Sequence, residues 1–146
     1  MNPDPPDQAG EQEMPACGAE DLSVTVRWEH DGGGLCGQVI AENTGERACR
    51  LPGKPGVRPL GLDGKPLPVD TVITLEWVSP GYVALEPGQQ AVAPVAWDGW
   101  DGLAASSLAQ VTWEGGAALA AVEGPAQPSA TDAPGNISSS WFRPLR

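Results

Sequence analysis

The chain has 146 residues, 40% of them apolar, and a formal charge of −11, enough for one core and cramped for two domains. Gly (19) and Pro (16) stand at about twice their average usage, which excludes a helical bundle because these are the poorest helix formers; no G-X-Y period points to collagen. Acidic residues outnumber basic ones 19 to 8, so the surface repels phosphate backbones and anionic lipid and nucleic acid is excluded as a partner. No run approaches the ~18 apolar residues of a membrane span.

Residues 1–15 are Pro, Asp, Glu and Gln with almost nothing apolar. They bury too little surface to offset the cost of ordering, and read as a disordered acidic tail ahead of a single domain over 16–146. The start carries neither a positive n-region nor an apolar h-region. The protein is therefore either cytosolic or begins after a removed signal or anchor.

The first strand follows, with Leu22, Val24, Val26 and Trp28 alternating with polar neighbours as one buried face. Asp31-Gly-Gly-Gly34 turns the chain into a second strand over about 35–43, with Val39 and Ala41 on one face. Asn43-Thr-Gly45 is a turn signal. Asp63-Gly64, flanked by Leu62 and Leu67, predicts a short hairpin. Pro59, Pro66 and Pro68 predict edge or irregular strands around it.

Val72–Trp77 is β-branched and aromatic, a further strand. Glu86-Pro-Gly88 turns into a strand over Gln90–Trp97, where Val92 and Val95 are the large apolar residues and Pro94 marks an edge or a bulge. Leu103–Leu108 is compatible with helix but too short to stand alone. Leu108–Glu114 and Ala118–Val122 flank Glu114-Gly-Gly116, another hairpin signal. Residues 123–135 are Pro/Ala/Ser-rich and read as a long irregular connection. Asn136–Leu145 is the closing strand. Seven to nine short strands joined by Gly/Pro turns read as an all-β, immunoglobulin-like β-sandwich.

Three cysteines occur, Cys17, Cys36 and Cys49, and an odd number leaves one unpaired or intermolecular. With no C-x-x-C pair and His30 as the only histidine, no structural zinc site is expected. Trp97-Asp-Gly-Trp100-Asp-Gly102 doubles a W-D-G unit. Trp97, Asp98, Trp100 and Asp101 form a possible ligand patch in which an indole stacks on a pyranose face and a carboxylate accepts its hydroxyls. The opposing reading places Trp97 with Trp28 in the sandwich core and Trp100 over a loop edge. Asp98 and Asp101 are too few for a calcium loop. His30 beside Asp31 lacks a G-x-S-x-G partner and is a surface residue at a strand end. Gly32-Gly-Gly34 opens no helix and is no phosphate loop. No catalytic residue and no cofactor is implied.

Cys17-Gly-Ala-Glu-Asp-Leu22, the Asn43-Thr-Gly45 turn and Cys49-Arg-Leu-Pro-Gly53-Lys-Pro55-Gly-Val57 together resemble the domain-of-unknown-function 4232 family. The family pattern is a Cys before an apolar strand, then N-T-x, C-x-L-x-G-x-P-x-V and a D-x-x-G hairpin, shortened here to Leu62-Asp-Gly-Lys65. Leu85-Glu-Pro-Gly88 and the strand ending Val95-Ala-Trp97 continue it, so that the likeness runs over about residues 16–145. This resemblance implies an immunoglobulin-like sandwich in secreted or lipid-anchored actinobacterial proteins, without an assigned activity. It also implies a Cys17–Cys49 disulfide that ties the start of the first strand to the end of the second. Closing that loop stabilises by roughly 3–4 kcal/mol in the chain-entropy estimate. Cys36, outside the pattern, is then a free thiol and a small buried hydrophobe.

A disulfide places the chain outside the cytoplasm. The expected role is a non-enzymatic binding or accessory module of the bacterial cell envelope. Its partner is an envelope protein or a glycan, and the chain is a monomer without a transmembrane segment. The alternatives are a carbohydrate-active enzyme using paired carboxylates, or a passive spacer.

Overall fold

The computed structural model describes residues 14–31, 34–67, 70–73, 81–98, 105–124 and 136–145. Residues 1–13 of the expected acidic tail, most of the long connection before residue 136, and Trp77, Trp100 and Asp101 lie outside them. Among the described residues there is no helix, and the chain is all-β, of the sandwich/barrel class.

Strands β1 (Leu22–Asp31) and β2 (Gly34–Asn43) pair antiparallel from Leu22↔Asn43 to Asp31↔Gly34. Their period-two patterns decide which side is core: Leu22, Val24, Val26, Trp28, Leu35, Val39 and Ala41 are buried, while Arg27, Glu29 and Gln38 face out. Two short strands follow, β3 (Cys49–Pro52) and β4 (Gly56–Gly61), then β5 (Asp70–Ile73), β6 (Tyr82–Leu85) and the long β7 (Gln90–Asp98). The chain continues through β8 (Ala105–Trp113), β9 (Gly116–Glu123), β10 (Asn136–Ser139) and β11 (Arg143–Pro144). The eleven strands among the described residues exceed the expected seven to nine. The Pro-rich stretch after Cys49 yields two pieces, and the closing segment splits into β10 and β11. Residues 105–108, within the helix-compatible stretch, are extended.

The main sheet runs β4-β8-β9-β1-β2-β7-β10-β5, with β11 also on β7. Its neighbours are antiparallel except β1–β9 and β10–β5. The sheet curls so far that β4, at one end, approaches β5 and β10 at the other. A separate two-stranded sheet pairs β3 with β6. One core fills the interior, centred on Trp28 and Trp97, whose rings lie 5.6 Å apart and tilted by 56°.

Pro94 corrects the sequence reading. Strand β7 is central, bonded to β2 on one side and to β10 and β11 on the other. Ser140 donates its backbone N–H to the Pro94 carbonyl at 2.9 Å, so Pro94 turns its polar atoms toward the side where β10 gives way to β11. The missing N–H falls at that break, and the ladder to β2 loses nothing. At β4 the expected irregularity is present as a register shift between Pro59 and Gly61.

Candidate functional site

Cys17 and Cys49 are joined by a disulfide, with Cα atoms 5.0 Å apart and both side chains fully buried. The chain before β1 runs beside β3: Arg50 donates its N–H to the Pro15 carbonyl, and Cys17 donates to the Arg50 carbonyl, each at 2.9 Å. Trp113 closes over this corner and donates its indole N–H to the Cys17 carbonyl at 2.7 Å. The β8–β9 hairpin must pass close here. Gly115 has φ +132°, and a Cβ on it would meet the Cys17 carbonyl at 2.6 Å, so only glycine fits.

Asn43 is the one buried polar residue among those described, and it is fully engaged. Its amide donates to the Arg47 and Leu85 carbonyls at 2.9 Å each, and its side-chain oxygen accepts from Gly45 N–H at 2.8 Å. Its backbone carbonyl accepts from Gly88 at 2.8 Å, and its backbone N–H donates to Gln89. Gly88, at φ +88°, makes the turn that brings this strand end alongside. The sequence marks Asn43 only as a turn residue, because its partner Leu85 lies 42 positions away.

Of the proposed Trp-Asp patch, Trp97 and the backbone of Asp98 lie among the described residues. Trp97 is 1% exposed and packs on Trp28, because it shares the inward parity of Ala91, Ala93 and Val95 on β7. This removes Trp97 from the patch: its ring face is not available to a sugar. Asp98 ends β7, with its backbone opposite Gly34 and Asn136. Trp100 and Asp101, which would complete the loop, are not among the described residues.

Cys36 is a free thiol. It is half-buried on the outer face of β2, opposite Glu29 and Ala96, and not in the core. The expectation of a small buried hydrophobe is corrected accordingly, since residue 36 has the parity of Gln38. A shallow groove of about 360 Å³ runs past it, lined by Arg27, Glu29, Gln38, Pro94 and Val95. Nearby, Arg27 bonds Glu123 at 3.0 Å in an exposed ion pair. His30 sits opposite Leu35 near the end of β1.

A family model described as Domain of unknown function (DUF4232) matches residues 17–142. The chain belongs to this family. Neither a curated protein nor a solved structure gives a significant match.

The residues that carry the DUF4232 likeness hold the scaffold. In C-x-L-x-G-x-P-x-V, Cys49, Leu51, Pro55 and Val57 face inward. Gly53, at φ +81°, takes the turn, and its carbonyl accepts from Phe142 N–H at 3.1 Å. The Pro55 carbonyl accepts from the Ser139 hydroxyl at 2.6 Å. Lys54, between them, lies 4.7 Å from the centre of the Trp141 ring, a cation–π contact. The N-T and L-x-P-G elements of the DUF4232 pattern meet in space at Asn43. Thus the motif joins the two-stranded sheet to the main one.

A larger open groove of about 510 Å³ lies beside this joint. Strand β6 forms one wall, with Val83, Ala84 and Leu85. Pro144 and Leu145 form the other, and Gly88–Gln90 the floor. Leu145 is 46% exposed, and Tyr82, which precedes Val83 on β6, is 52% exposed. No local pattern marks this groove, since its walls come from segments some 60 residues apart.

Proposed function

We propose that this chain is a non-enzymatic binding or accessory module of the bacterial cell envelope, working outside the cytoplasm. The Cys17–Cys49 disulfide carries the reading. Structural disulfides persist in oxidising compartments and are reduced in the cytosol of most cells. No helix of the described residues is long and apolar enough to cross a membrane. The residues of the family pattern are engaged in disulfide, turn and core contacts, and this supports a scaffold that presents surfaces rather than a reaction centre. The partner class is an envelope protein. The glycan alternative loses the Trp97 ring on which it chiefly stood.

The test combines location with thiol state. The natural gene product is followed by antibody through culture fluid, envelope and cytosol, and the denatured, unreduced protein is alkylated and weighed. The reading expects protein outside the cytosol with one alkylated thiol, mapped to Cys36. Cytosolic protein with three alkylated thiols overturns it.

A further inference from the structure

We propose that the groove between β6 and β11 is a slot for an extended acidic peptide of a partner protein, which adds a strand to the edge of β6. The proposal rests on the binding-module reading and names the partner class.

Backbone direction carries the first part. Arg50 spends both its N–H and its carbonyl on the segment around Pro15 and Cys17. Polar groups alternate sides along a strand, so Cys49 and Leu51 point the other way, to Leu85 and Val83 of β6. Tyr82 and Ala84 therefore turn their N–H and carbonyl groups away from β3, and Ala84 lines the groove. Among the described residues these groups have no partner. The facing wall is complementary. Leu145 gives its N–H to Gln90 at 3.0 Å, so Pro144 turns its carbonyl away from β7. An extended segment between the walls would pair with Tyr82 and Ala84, as in strand addition to an open sheet edge.

Charge decides which segment. The chain is strongly acidic overall, yet Arg143, exposed, stands on β11 at one wall of the slot, and Arg50, also exposed, stands on β3, the strand behind β6. Arg50 lies on the outer face opposite Ala84, whose small side chain leaves its path open. Neither arginine has an ion-pair partner among the described residues, where the one ion pair is Arg27–Glu123. Two exposed cations without an ion-pair partner among the described residues, one on a wall of the slot and one on the strand behind β6, select a strand carrying carboxylates, and the acidic remainder of the surface disfavours docking elsewhere.

The test is an NMR titration of the full chain with a seven-residue peptide of alternating glutamate and valine, against its lysine–valine counterpart. The expected shifts concentrate at the amides of Tyr82, Ala84 and Leu145. Exchange of the Ala84 amide slows by about tenfold or more on saturation, and the lysine peptide binds at least about tenfold more weakly. Ala84→Pro removes a donor that the β3 ladder does not use, and should weaken binding by about tenfold or more while leaving the melting temperature close to the parent's. Should that variant fail to fold, the exposed pair Arg50→Glu with Arg143→Glu serves instead, and should reverse the preference between the peptides. No shift at millimolar peptide, shifts centred elsewhere, equal binding of both peptides, or self-association that Ala84→Pro dissolves would each overturn the slot. None of these outcomes moves the thiol count or the location of the protein, so failure here is distinct from failure of the envelope reading.

Discussion

The corner around Cys17 and the edge of β6 belong to the same small sheet, one on either side of β3, yet they are finished in opposite ways. On the Cys17 side the backbone groups of Arg50 are paired, the disulfide is buried, and Trp113 caps the joint. On the β6 side, Tyr82 and Ala84 present polar groups without a partner among the described residues, above an open groove. The difference teaches where this fold spends its sequence. The family-pattern residues satisfy buried groups that would otherwise cost about 1–3 kcal/mol each. The edge is left to residues that the pattern does not fix, such as Tyr82 and Ala84. A strand edge kept open in a folded domain is an association hazard unless something covers it.

Substitutions should separate the two regions by size of effect. The largest belongs to the core that both regions rest on: Trp97→Ala removes a fully buried indole from against Trp28 and should cost about 3–5 kcal/mol in urea unfolding. A loss below ~1 kcal/mol would return Trp97 to the surface and revive the Trp-Asp patch.

Next comes the staple. Cys17→Ser and Cys49→Ser should each cost about 3–4 kcal/mol, and by similar amounts, because either one opens the same 32-residue separation. A silent result at one position would contradict the bond.

Asn43→Ala strips the Arg47 and Leu85 carbonyls and the Gly45 N–H of a partner at a buried site, and should cost about 2–3 kcal/mol. Trp113→Phe keeps most of the ring but deletes the bond to the Cys17 carbonyl, with an expected loss of about 1–2 kcal/mol.

At the small end, Arg27→Ala opens an exposed ion pair and should shift stability by less than ~1 kcal/mol. If that change exceeded the one at Asn43, the contrast between a fixed corner and a lightly held outer face would fail.

Legibility followed the range of the interactions. The inward faces of β1 and β2 were readable from alternation alone, since parity is a local property. The Asp63-Gly64 hairpin was readable too: Gly64 has φ +83°, and Lys65 N–H bonds the Asp63 carboxylate at 3.0 Å. Trp97 was ambiguous because W-D-G chemistry and strand parity point in different directions, and parity with Val95 won. Pro94 misled because one strand can be bonded on both sides and still contain a gap. The role of Asn43, the parallel pairing of β1 with β9 and the groove beside β6 depend on residues tens of positions apart, and no local pattern encodes such pairings. Membership of the DUF4232 family was legible from motif spacing, because those residues are the ones the architecture holds in place.

The disulfide also has a mechanical consequence. A pull applied from the N-terminal side reaches Cys17 before it reaches β1, and the covalent bond hands the load directly to β3. The 32 positions between the two cysteines, about 110 Å of chain at ~3.4 Å per residue, cannot be paid out while the bond is intact. Strands β1 and β2, the centre of the sheet, thus hang in a force-free loop, and a tug on the leading segment would stretch the molecule without unravelling its longest hairpin.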